Sequence, residues 1–272
     1  ISQPGLTTSI RELETEMGIK IFTRTNKGVV TSNEGERFLG YARQVLEQAS
    51  LLEGVYKSGT KIKQQFCVST QHYSFAVNAF VDLIRRFAGE EYDFSLRETE
   101  TYEIIDDVAK MKSEIGILYL NSFNKDALMK IIKSKSLTFT ELFTAKPHVF
   151  VSTDHPLADK KSVTMEELAD YPYLSFEQGE HNSFYYSEEI FSTVGRTKNI
   201  RVTDRATLFN LLIGLNGYTV CSGVIDNELN GDNITAIPLD EEGNMKIGYI
   251  ENKKILHSNL AEAYIEALKK HI

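Results

Sequence analysis

The sequence predicts an α/β body of two doubly wound lobes behind a short head, a helix followed by a hairpin, and one long helix. Three observations predict this. From Lys63 onward, short apolar β-rich runs alternate with amphipathic helical stretches, the pattern of βαβ units. Before that point, Phe38, Ala42, Val45, Ala49, Leu52 and Tyr56 recur at spacings of four and three, a heptad seam narrower than a globular helix face. The charge also splits. Residues 1–61 hold eight Lys/Arg, seven Glu and no Asp, whereas the rest holds 22 basic and 31 acidic residues. The net charge of −8 therefore belongs to the body and does not exclude nucleic acid as a partner of the head.

"ISQPGLTTSIRELETEMG" reads as a helix. Ser2 is a candidate cap and Pro4 fits the first turn, where its missing N–H costs nothing. Leu6, Ile10, Leu13 and Met17 form one apolar stripe, and Gly18 ends the helix. Part of what covers that stripe is expected upstream. "IKIFTRTNKGVVT" follows as two extended pieces around Asn26-Lys27-Gly28, a small basic hairpin. Thr31 and Glu34 have capping-box spacing for the next helix, which stops near Ser58-Gly59. About 27 residues at 1.5 Å each make a rod of about 40 Å. Its seam is expected to pair with a second copy over residues 32–58.

In the body, "QQFCVST", "YDFSLRE" and "IGILYL" are strands separated by the helices "YSFAVNAFVDLIRRFA" and "YEIIDDVAKMK". This βαβαβ order implies parallel pairing. A second unit starts at "KPHVFVS" and runs through "YPYLSF", a helix around Ser187–Val194, "NIRVT", "ATLFNLLIGL", "YTVCSG", "ITAIPL" and "MKIGYIE". "SNLAEAYIEALKKHI" closes the chain as a helix capped by Ser258. Ligands of such folds bind at the carboxyl ends of the strands. Ser69-Thr70-Gln71, Thr99 and Thr101, Thr203-Asp204 and Ser222-Gly223 all fall there. Short hydroxyls beside helix N-termini make anion sites; any one alone reads better as a helix cap, and the four turns together point to a pocket.

The usual signatures of catalysis and metal binding are missing from the sequence. The six histidines form no His-x-x-x-His pair and there is no Cys-x-x-Cys, so no metal or other cofactor is expected. No nucleophile elbow, Walker loop or dinucleotide fingerprint occurs, and no enzyme activity is expected. "EQGEHNSFYYSEE" reads as a charged surface loop. Cys67 and Cys221 read either as buried small hydrophobes or as a redox pair; a reducing cytoplasm suits both. No run of eighteen apolar residues indicates a membrane span.

"ISQPGLTTSIRELETEMGIKIFTRTNKGVVTSNEGERFL" resembles the signature of the LysR-type transcriptional regulators: Ser-Gln-Pro, Ile-x-x-Leu-Glu, Gly, Ile-Phe and Arg. The resemblance covers the layout of the whole chain. It implies an α/β effector domain of two doubly wound lobes, like type 2 periplasmic binding proteins, preceded by a partial winged helix-turn-helix and a long dimerisation helix. The implied boundaries are 1–31 for the DNA-binding part, 32–60 for the linker helix, 61–146 plus 253–272 for lobe 1 and 147–252 for lobe 2. The hinge would lie at Ala145-Lys146 and Asn252-Lys253. In the family Ser-Gln-Pro opens the recognition helix and two helices precede it, so the chain is expected to start inside its DNA-binding domain.

The resemblance carries roles only to matching residues. Gln3, Pro4 and Thr7 would stand at the major groove. Thr8 replaces a common Arg, which removes a bidentate guanine reader. Arg11, Arg24 and Lys27 would meet phosphates. Ser69, Thr70, Gln71, Thr99, Thr101, Thr203 and Ser222 would line the effector cleft. Implied partners are double-stranded DNA, a small anionic or amino-acid-like metabolite, further copies forming a dimer and a tetramer, and RNA polymerase, all in the cytoplasm. "STQHYSF", "EIGILYLN", "YYSEE" and "VTDRATLFNLL" further resemble regulators of cysteine and methionine metabolism in Gram-positive bacteria, whose effectors are O-acetylserine or its relatives. The alternative is a solute-binding or sensory module without a DNA role. A thiol sensor built on Cys67 and Cys221 is a third reading.

Overall fold

The computed structural model describes residues 3–26, 28–56, 64–87, 89, 91–181, 183–225 and 231–272; the side chains of Gln3 and of 51–56 lie outside the description. Ser2, Lys27 and the Ser58-Gly59 stop therefore fall outside it. The chain forms two compact units: residues 1–62 with 110–112, and residues 63–109 with 113–272.

In the first unit, α1 (Gln3–Met17) ends as expected at Gly18. Gly18 takes φ +66, its N–H donates to Thr15 O, and the Ile19 N–H donates to Glu14 O. These two bonds are a Schellman closure, and they satisfy carbonyls that a helix end would otherwise orphan. β1 (Phe22–Thr25) and β2 (Gly28–Thr31) form the hairpin, with Thr25 opposite Gly28 across a two-residue turn. Glu14, one of several charges around Arg11 in the sequence, has a structural task. Its buried carboxylate accepts from the Ile21 N–H at 2.7 Å and the Phe22 N–H at 3.0 Å, and lies 3.2 Å from Lys20 Nζ. The Phe22 N–H bond, ahead of the others, draws its pKa below the usual carboxylate value.

α2 (Asn33–Tyr56) starts one residue later than Thr31 capping allows, because Ser32 supplies the cap: its Oγ accepts from the Gly35 N–H at 2.8 Å. Gly35 is also forced by space. A Cβ there would stand 2.1 Å from Ile21 O and 2.8 Å from Ile21 Cα. Gly35→Ala is expected to push α2 off the hairpin, costing about 1–3 kcal/mol as an overpacking change; thermal unfolding followed by circular dichroism measures the loss. The apolar stripe of α1 is half open, with Leu6 51% and Met17 50% exposed, and on α2 Val45 and Leu46 are 67% and 68% exposed.

The second unit opens with β3 (Gln64–Thr70), α3 (Ser74–Phe87), β4 (Tyr92–Glu98), α4 (Thr101–Ala109) and β5 (Ile115–Leu120). As expected of βαβαβ, β3 pairs in parallel with β4 and with β5. Two further elements were not expected from the sequence: α5 (Lys125–Ser134) and β6 (Leu137–Ala145), which leads at Lys146 into the second lobe. That lobe holds an antiparallel trio, β7 (His148–Ser152) between β10 (Thr219–Cys221) and β11 (Ile234–Pro238). It also holds the parallel pair β8 (Tyr173–Phe176) and β9 (Asn199–Val202), and α6 (Arg205–Leu215).

Three expectations need correction. The helix expected around Ser187–Val194 is instead bends and turns after a 3-10 turn at Phe184–Tyr186. The second crossing is not at Asn252-Lys253. β12 (Met245–Asn252) pairs antiparallel with β5 and β6, giving the first lobe the order β4-β3-β5-β12-β6. The chain therefore returns across residues 239–244, and the second lobe ends one strand earlier than 252. Nor are the sheets wholly parallel, because a strand that re-enters from the other lobe arrives against the direction of β5. α7 (Asn259–Leu268) completes the first lobe; Ser258 caps it, accepting from the Ala261 N–H at 3.1 Å, and the Tyr264 hydroxyl donates to Ala76 O on α3.

A single apolar core runs through both lobes, from Phe66, Val68 and Phe75 to Val149, Tyr218 and Val220. No helix among the described residues is long and apolar enough to cross a membrane.

Candidate functional site: the cleft between the lobes

The carboxyl end of β3 builds the floor. Gln71, fully buried, is a strut: its Nε2 donates to Thr101 Oγ1 at 2.6 Å, and its Oε1 accepts from the Tyr119 N–H and the Tyr73 hydroxyl, both at 3.0 Å. Thr70 turns inward and donates to Gln71 O. Ser69 belongs to a buried network behind the sheet, donating to Asp107 Oδ2 at 2.8 Å and meeting Ser113 Oγ at 2.8 Å, with Arg97 Nε 3.1 Å from Asp107. Thr99 is half-buried and its N–H donates to Thr70 O. Thr203 is exposed. Of the seven residues expected to line the cleft, only Ser222 borders the cavity between His72 and Glu189.

The cavity is built from other residues. His72, Tyr73 and Ser74 stand on the first lobe; Phe176, Glu188, Glu189 and Arg205 face them from the second. Its volume is about 40 Å³. One water needs about 10–15 Å³, so the closed cavity admits a very small molecule and anything larger must part the lobes.

What holds the lobes together is polar and specific. Glu188 Oε2 accepts from the His72 N–H at 3.0 Å and lies 2.9 Å from His72 Nδ1, and both side chains are almost fully buried. The His72 ring stacks flat on Phe176, centroids 3.7 Å apart and planes within 3°. Burial alone would depress the imidazole pKa, but the Glu188 charge and hydrogen bond outweigh it and raise the pKa above its ordinary value. Gln178 accepts from the Thr101 N–H at 3.0 Å and donates to Glu188 Oε1 at 3.2 Å. Arg205 Nη2 lies 2.9 Å from Glu98 Oε1, an ion pair too far off axis to count as a hydrogen bond. Glu98 itself is raised in pKa by burial, with Arg205 opposing.

"EQGEHNSFYYSEE" is a surface loop only in part: Glu177, Glu180, Ser183, Phe184 and Tyr185 are exposed, whereas Gln178, Glu188 and Glu189 are at least nine-tenths buried and belong to the second lobe's half of the site. The residues that should meet an anion also differ from expectation. The N–H groups of His72 and Thr101 are taken by Glu188 and Gln178. The start of α6 is capped by Asp204, which accepts from the Thr207 N–H at 2.8 Å and, chiefly through that bond, has a lowered pKa. The thiols are poor redox candidates: burial raises the pKa of both Cys67 and Cys221, which disfavours the reactive thiolate.

In the head, Pro4, Thr8, Arg11 and Arg24 are exposed and Thr7 is half-buried. Thr8 donates to Pro4 O, so its hydroxyl is engaged within its own helix.

Two lobes joined by two chain crossings, with a small polar cavity between them, define a bilobed ligand-binding domain. Residues 68–272 match the family model described as the LysR substrate binding domain, and the chain belongs to that family. Among curated proteins it is similar to an uncharacterized HTH-type transcriptional regulator, YnfL, of Escherichia coli strain K12, 28% identical over 181 residues (65% of this chain, 57% of the relative). It is also similar to the HTH-type transcriptional regulator CysB of Burkholderia cenocepacia, 28% identical over 182 residues (65% of this chain, 54% of the relative). The chain thus spans little more than half the length of these relatives. Its fold is similar to full-length OxyR from Pseudomonas aeruginosa, with a TM-score of 0.65 at 18% identity, covering 99% of this chain and 89% of that one.

Proposed function

We propose that the chain is the greater part of a ligand-responsive transcriptional regulator that binds double-stranded DNA through its head and a small metabolite between its lobes. The observation that carries this reading is the pairing of a LysR substrate-binding domain with a helix, hairpin and long helix that a solute receptor does not need. α1 would enter the major groove with Gln3, Pro4, Thr7 and Thr8 toward the bases, while Arg11, Arg24 and Lys27 neutralise phosphates. The exposed Val45 and Leu46 support self-association through residues 32–58, with a tetramer formed by further domain pairing. Ligand binding acts only if it favours one quaternary arrangement over another. Movement of the half-site readers then changes DNA bending and contact with RNA polymerase. The cytoplasm is the compartment this function requires, and no catalytic step is assigned.

The test is an electrophoretic mobility shift on the gene's own upstream DNA. Neutralising about six phosphates should cost about 10³-fold in affinity between 50 and 200 mM salt. Sedimentation of the same protein should give at least a dimer. A monomer indifferent to duplex DNA at low salt overturns the reading.

A further inference from the structure

We propose that the ligand of this cleft carries a protonated amine, seated against Glu189 beside Glu188. The inference rests on the cavity being the effector site and deepens that reading by naming the ligand's charge.

The first argument is what the cleft offers an anion. Its N–H groups at the turn after β3 and at the start of α4 are already bonded to Glu188 and Gln178, and the start of α6 holds the Asp204 carboxylate. Of the cations that border the cavity, His72 is paired with Glu188, and Arg205 sets its Nη2 against Glu98 while its Nη1 has no hydrogen-bond partner among the described residues. A purely anionic ligand would have to displace the acceptors on those N–H groups and on His72, whereas a cation finds them assembled.

The second argument is Glu189. It borders the cavity, is 3% exposed, and accepts from the Phe176 N–H at 2.8 Å, but among the described residues it has no cation of its own. The groups whose charge it feels or perturbs are Glu188, His72, and the phenols of Tyr73, Tyr119 and Tyr173. The Tyr173 hydroxyl is buried without a hydrogen-bond partner among the described residues. Burial above all, then the adjacent Glu188, pushes Glu189 up to about 8, so at pH 7 the empty cavity holds it as a neutral acid. An ammonium in contact supplies the missing counter-charge: Glu189 ionises, its proton passes to solvent, and the ion pair remains.

The probes are L-alanine, its decarboxylated counterpart ethylamine and its deaminated counterpart propionate, applied to the full chain. Thermal shift at millimolar concentration is expected to respond to alanine and ethylamine and not to propionate. Calorimetry of alanine in phosphate and in Tris at pH 7 should show close to one proton released. Glu189→Gln is nearly isosteric with the neutral acid; it should unfold as cooperatively as the parent, release no proton, and lose the amine response at least tenfold. Stabilisation by propionate alone, proton uptake, or an undiminished amine response in Glu189→Gln overturns the proposal, as does silence with all three probes. None of these outcomes bears on the mobility-shift test, so the two readings fail separately.

Discussion

Unfolding free energy, measured by urea titration at successive pH values, is expected to be highest near pH 5 and to fall toward pH 8. Glu189 ionises at about 4.5 when unfolded and at about 8 when folded. Its pKa is raised on folding, so the native state keeps a proton that the unfolded chain releases. No penalty exists below 4.5. Between the two values the slope is about −1.4 kcal/mol per pH unit for one proton. His72 adds to the same trend: its folded pKa is raised above 6.5, so the stability it contributes is full below 6.5 and lost as the pH climbs through the folded value. Glu14, Glu141, Glu167 and Asp204 have lowered values and act oppositely, losing their contributions only on the acid side. Glu189→Gln should remove most of the slope. A flat profile in the parent protein contradicts the environment assigned to Glu189.

Glu188→Ala is expected to open the cleft. One carboxylate accepts the His72 N–H, faces the His72 ring nitrogen and accepts from Gln178, all in a nearly dry site. Deleting it leaves His72 and Gln178 buried without that partner. Removing one member of a buried ion pair costs about 3–5 kcal/mol when the other remains charged. The imidazole can escape part of this by losing its proton, so the loss should be largest below pH 6.5 and shrink above it. Small-angle scattering should show a larger radius of gyration for the variant at pH 6. Parent-like scattering and stability at that pH would mean that Glu188 does not clasp the lobes.

Much of the scaffold that carries these effects is legible in the amino-acid sequence. The hairpin, the heptad seam, the βαβαβ unit and the Gly18 and Ser258 caps depend on periodicity and local backbone chemistry, which a sequence displays within a few residues. Some of the differences are local too. Ser32 stands one residue from Thr31 with the same cap chemistry, and the aromatic-rich run before Val194 suggests a helix where the chain only turns. The fate of β12 is not legible, because a strand's apolar pattern does not say which sheet receives it.

The site shows the division most clearly. Sequence alone determined that polar side chains gather at strand ends in a two-unit α/β body, since that follows from alternation along the chain. Only the tertiary structure decided that most of those hydroxyls are spent as struts and that His72, Glu188, Glu189 and Arg205 form the cavity. His72 and Glu188 are 116 residues apart, and their pairing arises when a crossing of the chain folds one lobe against the other. Burial then sets their protonation, and burial is a property of the assembled interior rather than of any residue or its neighbours in sequence.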